Sequence, residues 1–287
     1  MSLTINTNPA AIRASFNLAK NNKNLQDSLT RLSSGKRITK PADDAGGLAV
    51  SMKLTASINR TRAAISNIQN SLSFGEVQDG ALQAATRIVD RLAELKSLSL
   101  DVMKSSADIS NYNTEFQALQ QQLQSITAET FNGVSLFAGT TASGGSTTFG
   151  TDKNVVSVFT SDRGAAGSVV SLHKATLLAA LTFNGSNSAT ATTDAGATGG
   201  SNITLANASN MLSIGALGIS FFTRALENIA TLRAENGATM TRLQFAEDHL
   251  RLTSANLEAA NSRIMDVDVA SESTALAKYN ILSQASA

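Results

Sequence analysis

Cysteine and tryptophan are absent from this 287-residue chain, and proline occurs at two positions only. The missing cysteine excludes disulfides, thiolate zinc sites, iron–sulfur clusters and thiol nucleophiles together. Aromatic residues make up 5% of the chain, so a compact aromatic core is not expected. Charge is sparse and balanced, with 23 cations against 22 anions, which gives no general polyanion-binding surface. No apolar run is long enough to span a membrane, and "MSLTINTNPAAIRASFNLAK" lacks the cationic and apolar regions of a cleaved Sec leader.

Catalytic signals are equally scarce. His173 and His249 are the only histidines, and neither "SLHKA" nor "AEDHL" resembles a nucleophile elbow or an HExxH zinc helix. Gly35-Lys36 suggests a phosphate loop, but Arg37 stands where Ser or Thr would meet magnesium, and no glycine precedes Gly35. Asp43 and Asp44 lack further acids at EF-hand spacing, and are instead expected to favour the first turn of a following helix. The reading is of a non-enzyme with no cofactor and no metal. The basic N-terminal segment carries no aromatic–basic interleaving beyond Phe16, so neither nucleic acid nor membrane is expected as a partner.

What the chain does have is helical periodicity. Ile109, Tyr112, Phe116, Leu119, Leu123 and Ile126 alternate steps of three and four, the seam of a helix packed on another helix. Leu54, Ile58, Ile65, Ile68 and Leu72 keep a similar register, with Thr61 in one slot; past Gly75 and Gly80 the stripe resumes at Ala81, Ala85, Ile88, Leu92 and Leu95. A helix over 46–100 would be roughly 80 Å long. Leu243, Leu250, Leu257 and Ile264 recur every seventh residue, and the seam is expected to continue through Ala270, Thr274, Ala277 and Ile281. Leu18, Leu25, Leu29 and Leu32 mark an N-terminal helix, with Pro9 suited to its first turn. Ala and Thr fill several seam positions and bury little area, so these terminal helices should be marginal without partners.

Two stretches interrupt the pattern. "LSSGKRITKPADDAGGLAV" packs Gly35, Pro41, Gly46 and Gly47 between helical runs. Most of the 19 glycines lie between Gly139 and Gly218, where "NVVSVFT" and "GSVVSL" read as strands, and "GTTASGGSTTFG" and "TATTDAGATGG" as turns. Ahead of that insert, Asn132-Gly133 between apolar residues signals a hairpin near 131–139. The ends are electrically complementary. Arg13, Lys20, Lys23, Arg31, Lys36, Arg37 and Lys40 face only Asp27 in the first forty residues, whereas Glu258, Asp266, Asp268 and Glu272 outnumber Arg263 and Lys278 near the other end. Such exposed charges guide pairing more than they stabilise it.

Both ends of the chain resemble bacterial flagellin. The N-terminal resemblance rests on "INTNPAAI", "LSSGKRI", "KPADDAGGLAVSMKL", "DGALQAATRIVDRLAELKSLSLD" and "EFQALQQQLQSITAETFNGVSLFAG". The C-terminal one rests on "ALENIATLRAENGATMTRLQFAEDHL", "NLEAANSRIMDVDVASES" and "KYNILSQA". The resemblance implies a mainly α fold, a long-helix coiled coil and bundle built from the N- and C-terminal segments, with a β-hairpin and a small variable outer insert that is β-rich or irregular. It divides the chain into an inner coiled coil (1–34 and 266–287), a spoke connector (35–45) containing Gly35, Pro41, Asp43 and Asp44, a middle bundle (46–139 and 219–265), and an outer domain (140–218). Leu18, Leu25, Leu32, Ile58, Ile65, Leu72, Leu243, Leu250, Leu257 and Ile264 are the seam expected to serve packing and assembly.

The implied function is a structural subunit of the extracellular flagellar filament. Its implied partners are copies of itself, an export chaperone, the type III export apparatus, the filament cap and the hook-associated proteins. Family members carry a patch read by the vertebrate innate flagellin receptor; here Asp90, Arg91, Glu94 and Leu95 correspond, with Asp90 in place of Gln, and Glu115 as a second acidic contact. Flagellins usually continue past "NILSQA" with a further Ala/Gln-rich stretch, which implies a short inner helix or a missing segment here. The weighed alternatives are a hook–filament junction protein, a secreted helical adhesin, and an outer-domain hydrolase, which His173 alone does not support.

Overall fold

The computed structural model describes residues 8–138, 155–184, 202–206 and 211–286. The turn-like pieces 139–150 and 190–200 lie outside the described residues. Six helices carry most of the described chain: α1 (Pro9–Ser34), α2 (Ala45–Ser99), α3 (Ser106–Thr127), the short α4 (Leu177–Ala180), α5 (Ile219–Met265) and α6 (Val269–Ser286). Three two-stranded antiparallel sheets accompany them: β1 (Thr130–Phe131) with β2 (Val134–Ser135), β3 (Val155–Phe159) with β4 (Val169–His173), and β5 (Thr182–Asn184) with β6 (Asn202–Thr204). The chain divides into two compact units, Met1–Arg62 with Arg251–Ala287, and Ala63–Leu250.

Local chemistry sets most of the boundaries. Asn8 accepts from the Ala10 and Ala11 N–H groups and Pro9 opens α1, while Gly35 ends it at φ 69°. Ser105 and Asp108 form a reciprocal capping box at the start of α3. The β1–β2 turn places Asn132 at φ 50° and Gly133 at φ 78°, the paired left-handed geometry that an Asn-Gly hairpin supplies.

The second unit holds one continuous apolar core. The α2 stripe delivers Ile68, Leu82, Ala85, Val89, Leu92 and Leu95, and the α3 seam adds Phe116, Leu123 and Ile126. Phe221 and Phe222 of α5 enter beside them: Phe222 meets Phe116 edge to face at 6.1 Å, and Phe221 meets Phe183 at 4.3 Å. Leu177, Leu181, Phe183 and Leu205 are buried in the same cluster, so the described part of the insert shares its core with the helices.

Buried polar side chains in this unit read backbone groups. Gln78 donates to the Leu136 carbonyl at 2.7 Å, Asn236 to Gly75 at 2.8 Å and Asn228 to Ala180 at 3.1 Å. Gln120 grips both the N–H and the C=O of Leu212, each at 3.0 Å, and the buried Lys96 donates to the Ile214 carbonyl at 3.0 Å. Burial lowers the pKa of Lys96.

One expectation about the seam fails. Ala270, Thr274, Ala277 and Ile281 are exposed; the half-buried face of α6 is Glu272, Ala275, Leu276, Tyr279 and Ser283. The heptad count assumes one unbroken helix, but the chain leaves helix between Met265 and Val269, and restarting it resets the phase. Leu29 also departs, being exposed while Leu18, Leu25 and Leu32 are half-buried.

Candidate assembly surface

Helices α1 and α6 pack together, joined by Ser283 donating to Asn22 at 2.7 Å and by Arg31 lying 4.0 Å from Glu272. The pairing is thin. Ser28 is the only buried residue described in α1, and Ile12, Phe16 and Leu29 of α1 point apolar side chains into solvent, as do Val269 and Ile281 of α6. Phe16 is 71% exposed and lies one helical turn from Ile12, which is 61% exposed.

The connector between α1 and α2 is built on carboxylates. Asp43 accepts from the N–H groups of Thr39 (3.1 Å) and Lys40 (3.0 Å) and from the Thr39 hydroxyl, closing the turn around Pro41. Those bonds, with the Lys40 N–H first, hold its pKa below the ordinary carboxylate value; burial opposes them and Arg31, 3.7 Å away, adds a smaller pull. Asp44 accepts from the Gly47 N–H at 2.8 Å, satisfying an otherwise orphaned donor at the start of α2. The joint role expected of the two aspartates is thus divided: Asp44 caps α2, whereas Asp43 reaches back along the chain. A Cβ at Gly47 would lie 2.9 Å from both the Asp44 carboxyl carbon and Ile38 Cδ1, so those side-chain ends would have to shift to admit one.

Opposite the connector lies a feature that the heptad count conceals. Lys36 and Asp266 form an isolated antiparallel bridge, with the Arg37 N–H bonding Met265 O at 2.6 Å and the Val267 N–H bonding Gly35 O at 3.1 Å. The Arg37 guanidinium donates to the Ile264 carbonyl at 2.8 Å. The break after α1 therefore pairs with the break after α5, and Asp268 starts α6 by accepting from Ala270 and Ser271. The readable signal was the Asp-x-Asp at 266 and 268 inside an apparent seam.

The remaining seam residues fall as follows. Ile58, Leu243 and Leu250 are buried, and Ile65, Leu72, Leu257 and Ile264 are half-buried. In the first unit Ser51 donates to Asn261 at 2.7 Å, and Arg62 meets Glu258 at 2.9 Å. The Arg62 contact, helped by Ser254, lowers the Glu258 pKa.

Arg91 sits between two acids, with Nε 2.8 Å from Glu115 and Nη1 2.8 Å from Glu94; these partners, Glu115 first, raise its pKa. Asp90 is exposed beside them, and Leu95 is fully buried in the core. His173 lies at the end of β4 in a recess with Glu235, Thr239 and Arg242, and His249 lies on α5. Among the described residues no cluster of three or more His, Asp or Glu could hold a metal, and no helix is long and apolar enough to cross a membrane.

Comparison with known proteins accounts for this layout. Residues 5–142 match the bacterial flagellin N-terminal helical region, and residues 219–287 match the bacterial flagellin C-terminal helical region. The chain is 31% identical to the flagellin of Bacillus subtilis strain 168, with 99% of this chain and 94% of the relative covered. It is also 31% identical to the flagellar filament 30.7 kDa core protein of Treponema maltophilum, covering 99% and 93%. Against the B-type flagellin of Pseudomonas aeruginosa it is 36% identical over 54% of this chain and 31% of the relative. Paired terminal helices, matched at both ends to the same family, make this chain a member of the bacterial flagellins.

Proposed function

We propose that this flagellin polymerises by burying, against neighbouring copies, the apolar face that α1 and α6 leave open. The flagellar filament is an extracellular assembly, and the chain is a structural subunit of it. One observation carries the assembly reading: α1 exposes Ile12 and Phe16, one turn apart on one face, and Leu29 on another side, while burying no apolar residue among those described. Such a face is stabilised only when something covers it. Unlike surfaces on one subunit, meeting without closing a ring, build an open helical polymer.

On this reading 1–34 and 266–287 form the inner coiled coil, 35–45 the spoke, 46–139 and 219–265 the middle bundle, and 140–218 the outer domain. The sparse burial around α1 and α6 supports export in an unfolded state through the type III apparatus, with ordering on assembly. An export chaperone, the filament cap and hook-associated proteins complete the partner set. Catalysis has no part in it. For the vertebrate innate receptor, the candidate contacts are Asp90, Arg91, Glu94 and Glu115; the buried Leu95 is removed from the patch.

Purified full-length protein, induced to polymerise and imaged in negative stain, tests the assembly. Long uniform fibres are expected from the unsubstituted chain, and Phe16→Asp should abolish them while leaving the helical circular dichroism of the monomer intact. Fibres from Phe16→Asp equal to the unsubstituted ones would remove the terminal helices from the mechanism. A persistent monomer would favour the adhesin reading. Purified monomer failing to activate receptor-bearing cells would end the receptor proposal.

A further inference from the structure

The second unit carries two more unsatisfied apolar features, and they are unlike each other. The first is the turn between α2 and α3. Val102 is 96% exposed and Met103 is 89% exposed, with Leu100 also largely in solvent. This turn is ordered by its own hydrogen bonds. The Leu100 N–H bonds Ser97 O at 3.2 Å, the Lys104 N–H bonds Asp101 O at 3.2 Å, and the Met103 N–H bonds the Asp101 carboxylate at 2.9 Å. The Ser105–Asp108 capping box then fixes the start of α3. Two apolar tips are thus held in water by a hydrogen-bonded scaffold.

The second feature is an apolar groove of about 220 Å³, lined by Ser71 and Phe74 of α2, Phe131 and Val134 of the hairpin, and Val156 and Leu172 of the β3–β4 pair. Phe74 and Phe131 meet edge to face at 6.1 Å. Every described residue lining it is neutral, so it suits an aliphatic or thioether tip and disfavours a charge.

Ser71 and Ser99 both belong to α2 and lie about 40 Å apart along its axis at 1.5 Å per residue. The turn therefore cannot fill the groove of its own chain. We propose that Val102 and Met103 of one copy insert into the Phe74–Phe131 groove of a second copy displaced along α2 by that same distance. The occupant is a second copy because an apolar knob and an apolar groove too far apart to meet on one chain can meet between copies, and because such unlike surfaces form the heterologous contact that builds an open polymer when the rotation does not close. The inference rests on the filament reading above and supplies a second contact for it, separate from α1 and α6.

The cysteine-free chain makes the test direct. Val102→Cys and Ser71→Cys chains, prepared separately, are mixed with unsubstituted protein, polymerised and treated with a short bismaleimide. A cross-linked dimer containing one of each variant is expected, and a Val102→Cys/Ser71→Cys double variant should give a ladder of covalent multimers. Polymers lacking the mixed dimer would overturn the contact and leave the filament reading standing. Unsubstituted protein that never polymerises would overturn the filament reading itself. Independently, Met103→Glu should raise the concentration needed for polymerisation at least about tenfold, since an ionised carboxylate is poorly accommodated in a neutral apolar groove. Met103→Leu should leave it unchanged. A Met103→Glu protein that polymerises like the unsubstituted chain, with matching monomer circular dichroism, refutes the insertion.

Discussion

The two compact units draw on the same long helices, α2 and α5, yet bury them differently. Ala63–Leu250 packs a continuous cluster that includes Leu82, Val89, Leu92, Phe116, Phe221 and Phe222. In Met1–Arg62 with Arg251–Ala287, Ile38 and Ile58 are the only described apolar side chains that are fully buried, and Ser28, Ser51, Thr61 and Ser254 share that interior. The first kind of unit is stabilised by the area it removes from water, at about 25 cal/mol per Å². The second depends on backbone bridges, caps and ion pairs, each worth little alone. A unit of the latter kind is suited to being completed by a neighbour.

The largest effect that could break this contrast is in the core. Phe222→Ala should lower stability by about 3–5 kcal/mol, through lost burial and a cavity against Phe116 and Phe221. Denaturant unfolding followed by circular dichroism measures it. Leu25→Ala in α1, by contrast, should shift the monomer by under about 1.5 kcal/mol, because Leu25 is already half-exposed. Equal losses from the two substitutions would erase the distinction between the units.

A smaller effect sharpens the comparison within the connector. Gly47→Ala brings a Cβ against the Asp44 carboxyl and Ile38, and disturbing that cap should cost about 1–2 kcal/mol. Amide exchange should accelerate at Gly47 and Leu48 while the core of the second unit keeps its protection. Unchanged exchange at those amides would show that the connector tolerates the methyl group.

Protonation reaches the same connector by another route. Because the folded-state pKa of Asp43 lies below its unfolded value, its stabilisation is complete above about pH 4 and is lost as pH falls through the lower folded value. Protection factors at Thr39 and Lys40, corrected for the intrinsic pH dependence of amide exchange, should fall on acidification, and Asp43→Asn should remove that dependence. Identical acid profiles in the two proteins would exclude Asp43 as the origin.

The smallest expected effect is the Arg62–Glu258 pair, whose side chains are 62% and 47% exposed. A double-mutant cycle should return at most about 1 kcal/mol, decreasing with added salt. A coupling several times larger would mean that the polar unit is held by its charges after all.

Long periodic segments were legible from sequence because a helix must bury one stripe, which 109–126 shows without interruption and 54–95 shows on either side of Gly75 and Gly80. The hairpin was legible because Asn-Gly accepts two consecutive positive φ values. The end of α5 was not. Its heptads run past Met265 in the sequence, and only the pairing of Lys36 with Asp266 reveals that the chain has left the helix. Leu95 has the same character: as part of a receptor-like motif it looks available, and the packing of α2 buries it completely.

Local chemistry, written in neighbouring residues, determined where the helices start and stop, the Asn132-Gly133 turn and the absence of thiol chemistry. Tertiary structure alone decided that two breaks more than two hundred residues apart would meet, that Asp43 would serve its own turn rather than the next helix, and that Val102 and Met103 would stand out in water. The physical reason is range. Caps and turns are satisfied within a few residues of backbone, whereas burial and bridging depend on which distant segment arrives opposite.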